Sequence, residues 1–200
     1  MQTLAAKASP ASSLSTFAAT LPGRALIGLA ATAVVAAAAH VAIPLPFTPV
    51  PLTLQPLAVL AVGLALGPVA GFLTMLAYLA EGALGLPVFA PSTTGLSGVA
   101  QLFGPTGGFL LAYPLVAAIV GAGARRLGTF MPKFLAAFIA GNAAMAVLLC
   151  TGAAWLMHFA HLTVHQTWIA GVLPFLPGEM VKVLVAAGSY SALYPSKRIE

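Results

Sequence analysis

Long apolar runs with almost no charge between them decide what this chain can fold into. Of its 200 residues, 60% are hydrophobic and 6% charged, and the mean hydropathy is +1.04. A soluble domain carries about 25% charged residues and could not hide so many apolar side chains. In lipid the backbone must satisfy its own hydrogen bonds, which helices do within one segment. The chain therefore reads as an all-α, polytopic membrane protein. Six apolar spans stand out, roughly 25–43, 52–66, 68–86, 108–124, 134–157 and 174–194, against the ~20 residues of a full crossing. Only Gly67-Pro68 separates the second from the third, the signature of a tight helical hairpin.

The basic residues give an orientation. Lys7 and Arg24 precede the first span; Arg125, Arg126 and Lys133 fall between the fourth and fifth; Lys197 and Arg198 follow the sixth. With six spans, all of these lie on one side. The opposite connections, 44–51, 87–107 and 158–173, have no Lys or Arg. Positive loops stay in the cytoplasm, so both termini are expected inside. The expected organisation is a cytoplasmic, disordered segment at 1–24, one membrane domain at 25–194 and a cytoplasmic tail at 195–200. Lys7 and Arg24 before an apolar run resemble a signal peptide, but the run is about as long as a full span.

Several function classes drop out. No basic run is long enough, or interleaved with aromatics, for nucleic acid. There is no P-loop and no H-E-x-x-H motif. A lone cysteine, Cys150, cannot form an internal disulfide. Trp155 and Trp168 flank the last outer connection as expected interfacial anchors.

Ionisable residues inside spans are where function is sought. The chain has no Asp and three Glu. Glu179 and Lys182 stand one helical turn apart in PFLPGEMVK (Pro174 to Lys182), and spacing i,i+3 puts them on one helix face. Pro177-Gly178 just before them marks a helix start or break. A self-neutralising pair with only a packing role is the alternative; a functional pair is expected. Glu81, near the outer end of the third span, either shares a cavity, pairs with Lys182 or sits protonated between helices. Gln55, just after the proline-rich PLPFTPVP (Pro44 to Pro51), offers two donors and an acceptor, or simply caps a helix. This stiff loop, and the Gly/Ser/Thr-rich stretch from Pro87 to Gly108, are expected to cover or line a cavity.

Other features carry less. His158, His161 and His165 share a face only if the helix continues, and no Cys or acid joins them as a metal ligand. GLSG (Gly95 to Gly98) resembles the nucleophile motif of rhomboid-type serine proteases, which would make Ser97 the nucleophile. Such a site needs a histidine base. Small-residue faces at Ala33/Ala37 and at Gly63/Gly67/Gly71 let helices approach closely, and the first is also a surface on which a partner could dock.

Five motifs in order resemble the biotin transporter family: TPVPLTLQ (Thr48 to Gln55), GLALGP (Gly63 to Pro68), GALGLPVF (Gly82 to Phe89), GPTGG (Gly104 to Gly108) and PFLPGEMVK. Members are the substrate-binding S components of energy-coupling-factor (ECF) vitamin transporters. The resemblance covers about residues 24–194. It implies a six-helix bundle that binds biotin from the outside and makes or breaks no covalent bond. It also implies a transmembrane coupling protein and two ATPase subunits as partners, with no cofactor. Glu179 and Lys182 match the family's ligand-contacting acid and lysine; the family acid is often Asp. Ser92-Thr93-Thr94 occupies the usually Gly-rich loop, so Thr93 or Thr94 takes the polar role there. Leu110 stands where some relatives have Arg. Gln55 and Glu81 complete the expected polar set, and Phe47, Phe89 and Phe109 the apolar lining. The alternatives are an S component for another vitamin or a metal, and the Ser97 protease.

Overall fold

The computed structural model describes residues 20–92 and 94–195. Most of the expected N-terminal segment, the tail beyond Pro195 and Thr93 lie outside the described residues. Residues 21–24, expected in that segment, belong to the first helix instead. Its cap explains why: the Thr20 hydroxyl accepts a hydrogen bond from the Gly23 amide at 3.2 Å, satisfying an orphan donor of the first turn.

Among the described residues the architecture is all-α apart from one hairpin of two-residue strands. The helices are α1 (Leu21–His40), α2 (Gln55–Leu66), α3 (Pro68–Ala83), α4 (Val99–Leu102), α5 (Gly107–Leu127), α6 (Lys133–Phe159), α7 (Val164–Gly171) and α8 (Leu176–Leu193). Prolines open α1, α2, α3 and α8 from their first or second position. There the missing N–H is one of the orphans anyway, and the fixed φ suits the helix.

Each of the six apolar spans overlies one helix. Among the described residues three helices, α1, α5 and α6, are individually long and apolar enough to cross a membrane. Helices α7 and α8 meet at a bend of 49° and qualify together as a broken span. Helices α2 and α3, with 12 and 16 residues, run about 18 and 24 Å, shorter than the ~30 Å bilayer core. Large aliphatic side chains such as Leu26, Leu29, Leu76, Val181 and Val185 are exposed on the helix exteriors. Lipid, not water, suits that surface. The chain is a multi-pass membrane protein.

Helix α5 is the hub. It packs on α6, α3 and α2, and Val116, Ala117 and Val120 are fully buried. The contact with α2 is backbone against backbone: a Cβ on Gly63 would collide with the Ala117 carbonyl oxygen, and one on Gly121 with the Gly63 carbonyl. The expected Gly67-Pro68 hairpin is present. Gly67 adopts φ +83°, a conformation open to glycine, and its N–H closes α2 on the Gly63 carbonyl at 2.9 Å. Helix α1 is peripheral, resting on α2 and α3. Its Ala33 and Ala37 are exposed.

Three segments, all expected on the outer side, differ from simple connections. Strands β1 (Ala42–Ile43) and β2 (Leu52–Thr53) pair antiparallel, folding the proline-rich loop back over the start of α2. The segment 87–106 contains α4. The last connection contains α7, capped by a reciprocal Thr163–Gln166 box.

Candidate binding pocket

A pocket, with about 660 Å³ of space counting the part open to its surroundings, lies between the 44–51 and 87–106 loops, the starts of α2, α5 and α8, and the middle of α6. Pro49 to Pro51 supply one wall and Ala90 to Ser92 another, as expected for loops that line a cavity. Most of the lining is apolar, with Phe109 and Phe175 tilted together at 6.2 Å between ring centroids. A few polar groups are set into it. That is the usual composition of a small-ligand site.

Glu179 is the only carboxyl group in the lining among the described residues, and it is buried. It sits in the first turn of α8, where Pro177 does open the helix, and the helix dipole favours a carboxylate there. Lys182, one turn on, donates from Nζ to Glu179 Oε1 at 2.7 Å. Each residue is only 5% exposed. A buried ion pair needs every remaining lone pair satisfied to be favourable. Glu179 Oε2 is not satisfied: it is the one buried side-chain polar atom among the described residues with no hydrogen-bond partner. Glu179 lines the pocket; Lys182 stands behind it.

Gln55 is the second polar element. Tyr78 Oη donates to the Val88 carbonyl at 2.7 Å, since a carbonyl only accepts. Its lone pair must then receive Gln55 Nε2, also at 2.7 Å. This chain fixes which end of the amide faces Tyr78 and leaves Oε1 on the other side. Gln101 completes the set, donating Nε2 to the Ala90 carbonyl at 2.7 Å. Two buried side chains, Tyr78 and Gln101, thus pin the 88–90 stretch by its carbonyls.

Not every residue expected at the site borders this pocket. Gln55, Phe109 and Glu179 do. Phe89 is one layer behind, edge-on to Tyr78 at 5.5 Å and seated in the space left by the absent side chain of Gly82. Phe47 is 58% exposed at the loop tip. Thr94 is exposed and bonds to Ser92, which does line the pocket; Thr93 is outside the described residues. Glu81 faces away, accepting the Thr32 hydroxyl at 3.0 Å and so tying α3 to α1. It neither shares the cavity nor pairs with Lys182.

Tyr113, Gln101 and Phe175 line the pocket without having been singled out. For Gln101 a signal existed, as an amide in an otherwise small-residue loop; for Tyr113 nothing distinguished it from core. Trp155 and Trp168, expected as anchors, do not line the pocket. Trp155 donates Nε1 to the Gly104 carbonyl at 2.8 Å and holds the GPTGG turn against α6, whereas Trp168 is half exposed. The three histidines do not share a helix face, because α6 ends at Phe159 and His161 takes φ +51°. Ser97 is exposed, and no histidine bonds to it among the described residues; His40 Nδ1 is bonded to the Ala36 carbonyl.

A family model, the BioY family, matches residues 12–198. The chain belongs to the BioY family. Among curated proteins this BioY-family chain is 40% identical over 139 residues to the probable biotin transporter BioY of Pyrococcus horikoshii, covering 69% of this chain and 76% of that one. It is 37% identical over 160 residues to the biotin transporter BioY2 of Lactococcus lactis subsp. cremoris, covering 80% and 83%. Against the biotin transporter BioY of Thermotoga maritima, identity is 35% over 157 residues, covering 78% and 86%. In three dimensions it is similar to the S-component for biotin from an ECF-type ABC transporter, solved at 2.1 Å, with TM-score 0.77 and 25% identity over 86% of this chain and 91% of that one.

Proposed function

We propose that this chain takes up biotin across the cell membrane as the substrate-binding S component of an ECF-type transporter. The observation that carries the reading is the unpartnered Glu179 Oε2, buried in the lining of an apolar pocket in a family whose relatives are biotin transporters. Biotin offers what the pocket lacks. Its ureido ring has two N–H donors on an otherwise apolar bicycle. Glu179 Oε2 accepts one N–H and Gln55 Oε1 the other. Lys182 holds the carboxylate in place and balances its charge. Phe109 and Phe175 pack against the ring system.

The chain performs no bond chemistry in this reading. It crosses the membrane six times with both termini in the cytoplasm, as its basic residues argue, and the pocket faces outward. The membrane in this reading is the cytoplasmic one, the inner membrane where a cell has two. A transmembrane coupling protein and two ATPase subunits supply the energy, with the exposed Ala33/Ala37 face of α1 as the docking surface.

Equilibrium binding of radiolabelled biotin to the purified protein, beside Glu179→Gln, tests the site. Tight binding that is lost in the variant is expected. A folded wild type that fails to bind would transfer the pocket to another vitamin.

A further inference from the structure

A second cleft lies at the opposite end of the bundle from the biotin pocket. It runs between the start of α1, the α2–α3 hairpin and the end of α5, and encloses about 1100 Å³ open to its surroundings. Leu21, Val69 and Leu73 form its aliphatic walls and are 84%, 71% and 57% exposed. Two guanidinium groups, Arg24 and Arg125, share the cleft with them.

Among the described residues the charge there is unbalanced. Of the chain's three acids, Glu200 lies outside the described residues, Glu179 is in the one ion pair among them, with Lys182, and the third is Glu81. Glu81 is thirteen residues along α3 from Pro68, about 20 Å up the helix. Arg125 is held in position: Nη2 donates to the Leu66 carbonyl at 3.1 Å, and the guanidinium fills the space beside Gly67. One of its five N–H donors is used in that bond, and the fork geometry of the others suits a phosphate.

We propose that this cleft binds an anionic phospholipid, with the phosphodiester between Arg24 and Arg125 and an acyl chain along Leu21, Val69 and Leu73. Apolar walls open to the bilayer, topped by two cations at helix ends, match a lipid in both its parts; a soluble anion has no use for the walls. On the orientation argued under Proposed function, the cleft faces the cytoplasmic leaflet, where anionic lipids attract basic groups. The site also anchors the peripheral α1 against the α2–α3 hairpin.

Native mass spectrometry of the full chain tests this, comparing retention of phosphatidylglycerol and phosphatidylcholine with matched acyl chains. Wild type is expected to retain phosphatidylglycerol preferentially. Arg24→Gln and Arg125→Gln should each weaken that preference about fivefold, and the double variant should abolish it. Arg126→Gln, outside the cleft, should leave it intact. Because Arg125 also caps α2, Arg24→Gln alone decides the matter if Arg125→Gln unfolds. Equal retention of the two lipids by wild type, or an unchanged preference in Arg24→Gln, would overturn the proposal. Biotin binding by Arg24→Gln reports separately on the transport reading, which stands whether or not the lipid site does.

Discussion

The Gln55 amide nitrogen donates to the Tyr78 hydroxyl at 2.7 Å, and that hydroxyl in turn donates to the Val88 carbonyl at 2.7 Å. One phenol therefore fixes both the polarity of a pocket amide and the position of a pocket loop. Tyr78→Phe removes only the hydroxyl and keeps the ring on Phe89. If Tyr78 acts through Gln55, biotin affinity falls about tenfold in Tyr78→Phe, the worth of roughly one buried hydrogen bond. In a Gln55→Ala background the same change should then cost nothing further. A double-mutant cycle of dissociation constants measures this. Additive effects would instead assign Tyr78 to holding the loop.

Glu179 and Lys182 separate in a second experiment. Glu179→Gln keeps the volume, removes the charge and leaves a donor where biotin needs an acceptor, so affinity should drop at least tenfold with the fold intact. Lys182→Ala does more damage: it strands a buried carboxylate with no donor beside it, at a cost of about 3–5 kcal/mol, whereas Glu179→Gln still offers Lys182 Nζ an amide oxygen. The thermal midpoint of Lys182→Ala should fall as well as its affinity. The pair Glu179→Gln/Lys182→Met should recover the midpoint but not biotin binding. Thermal scans beside binding isotherms distinguish the two roles, and unchanged affinity in both single variants would remove the pair from the site.

Gly63→Val tests the α2–α5 crossing. The new side chain would meet the Ala117 carbonyl, a backbone atom that cannot step aside cheaply. Overpacking of this kind costs about 1–3 kcal/mol, sometimes more. A lower thermal midpoint is expected, along with less binding-competent protein after extraction. A midpoint equal to wild type would mean that the helices cross elsewhere.

Ala33→Leu/Ala37→Leu addresses the exposed face of α1. The change touches nothing in the pocket and should leave biotin affinity within twofold of wild type. Copurification with the coupling protein should fall sharply, because a small-residue face loses its close approach. Normal copurification would exclude this face as the docking surface.

Sequence alone determined the solvent of this protein, its helical class and the places where helices turn. Those features follow from local or compositional physics. A chain with 6% charge cannot be soluble, and proline and glycine act on their own backbone at Gly67-Pro68 and Pro177. The i,i+3 spacing of Glu179 and Lys182 was legible for the same reason, because a helix alone brings them together. Tertiary structure decided the rest. Gln55 meets Tyr78 across 23 residues and Thr32 meets Glu81 across 49, pairings that no local rule anticipates. Phe89 and Phe109 are similar residues beside similar motifs, yet one packs behind the wall and the other forms it. Which face of a helix meets a cavity depends on how its neighbours cross. In this bundle the crossing of α2 and α5 is set by close glycine contacts, Gly63 against Ala117 and Gly121 against Gly63, and not by either phenylalanine's own motif.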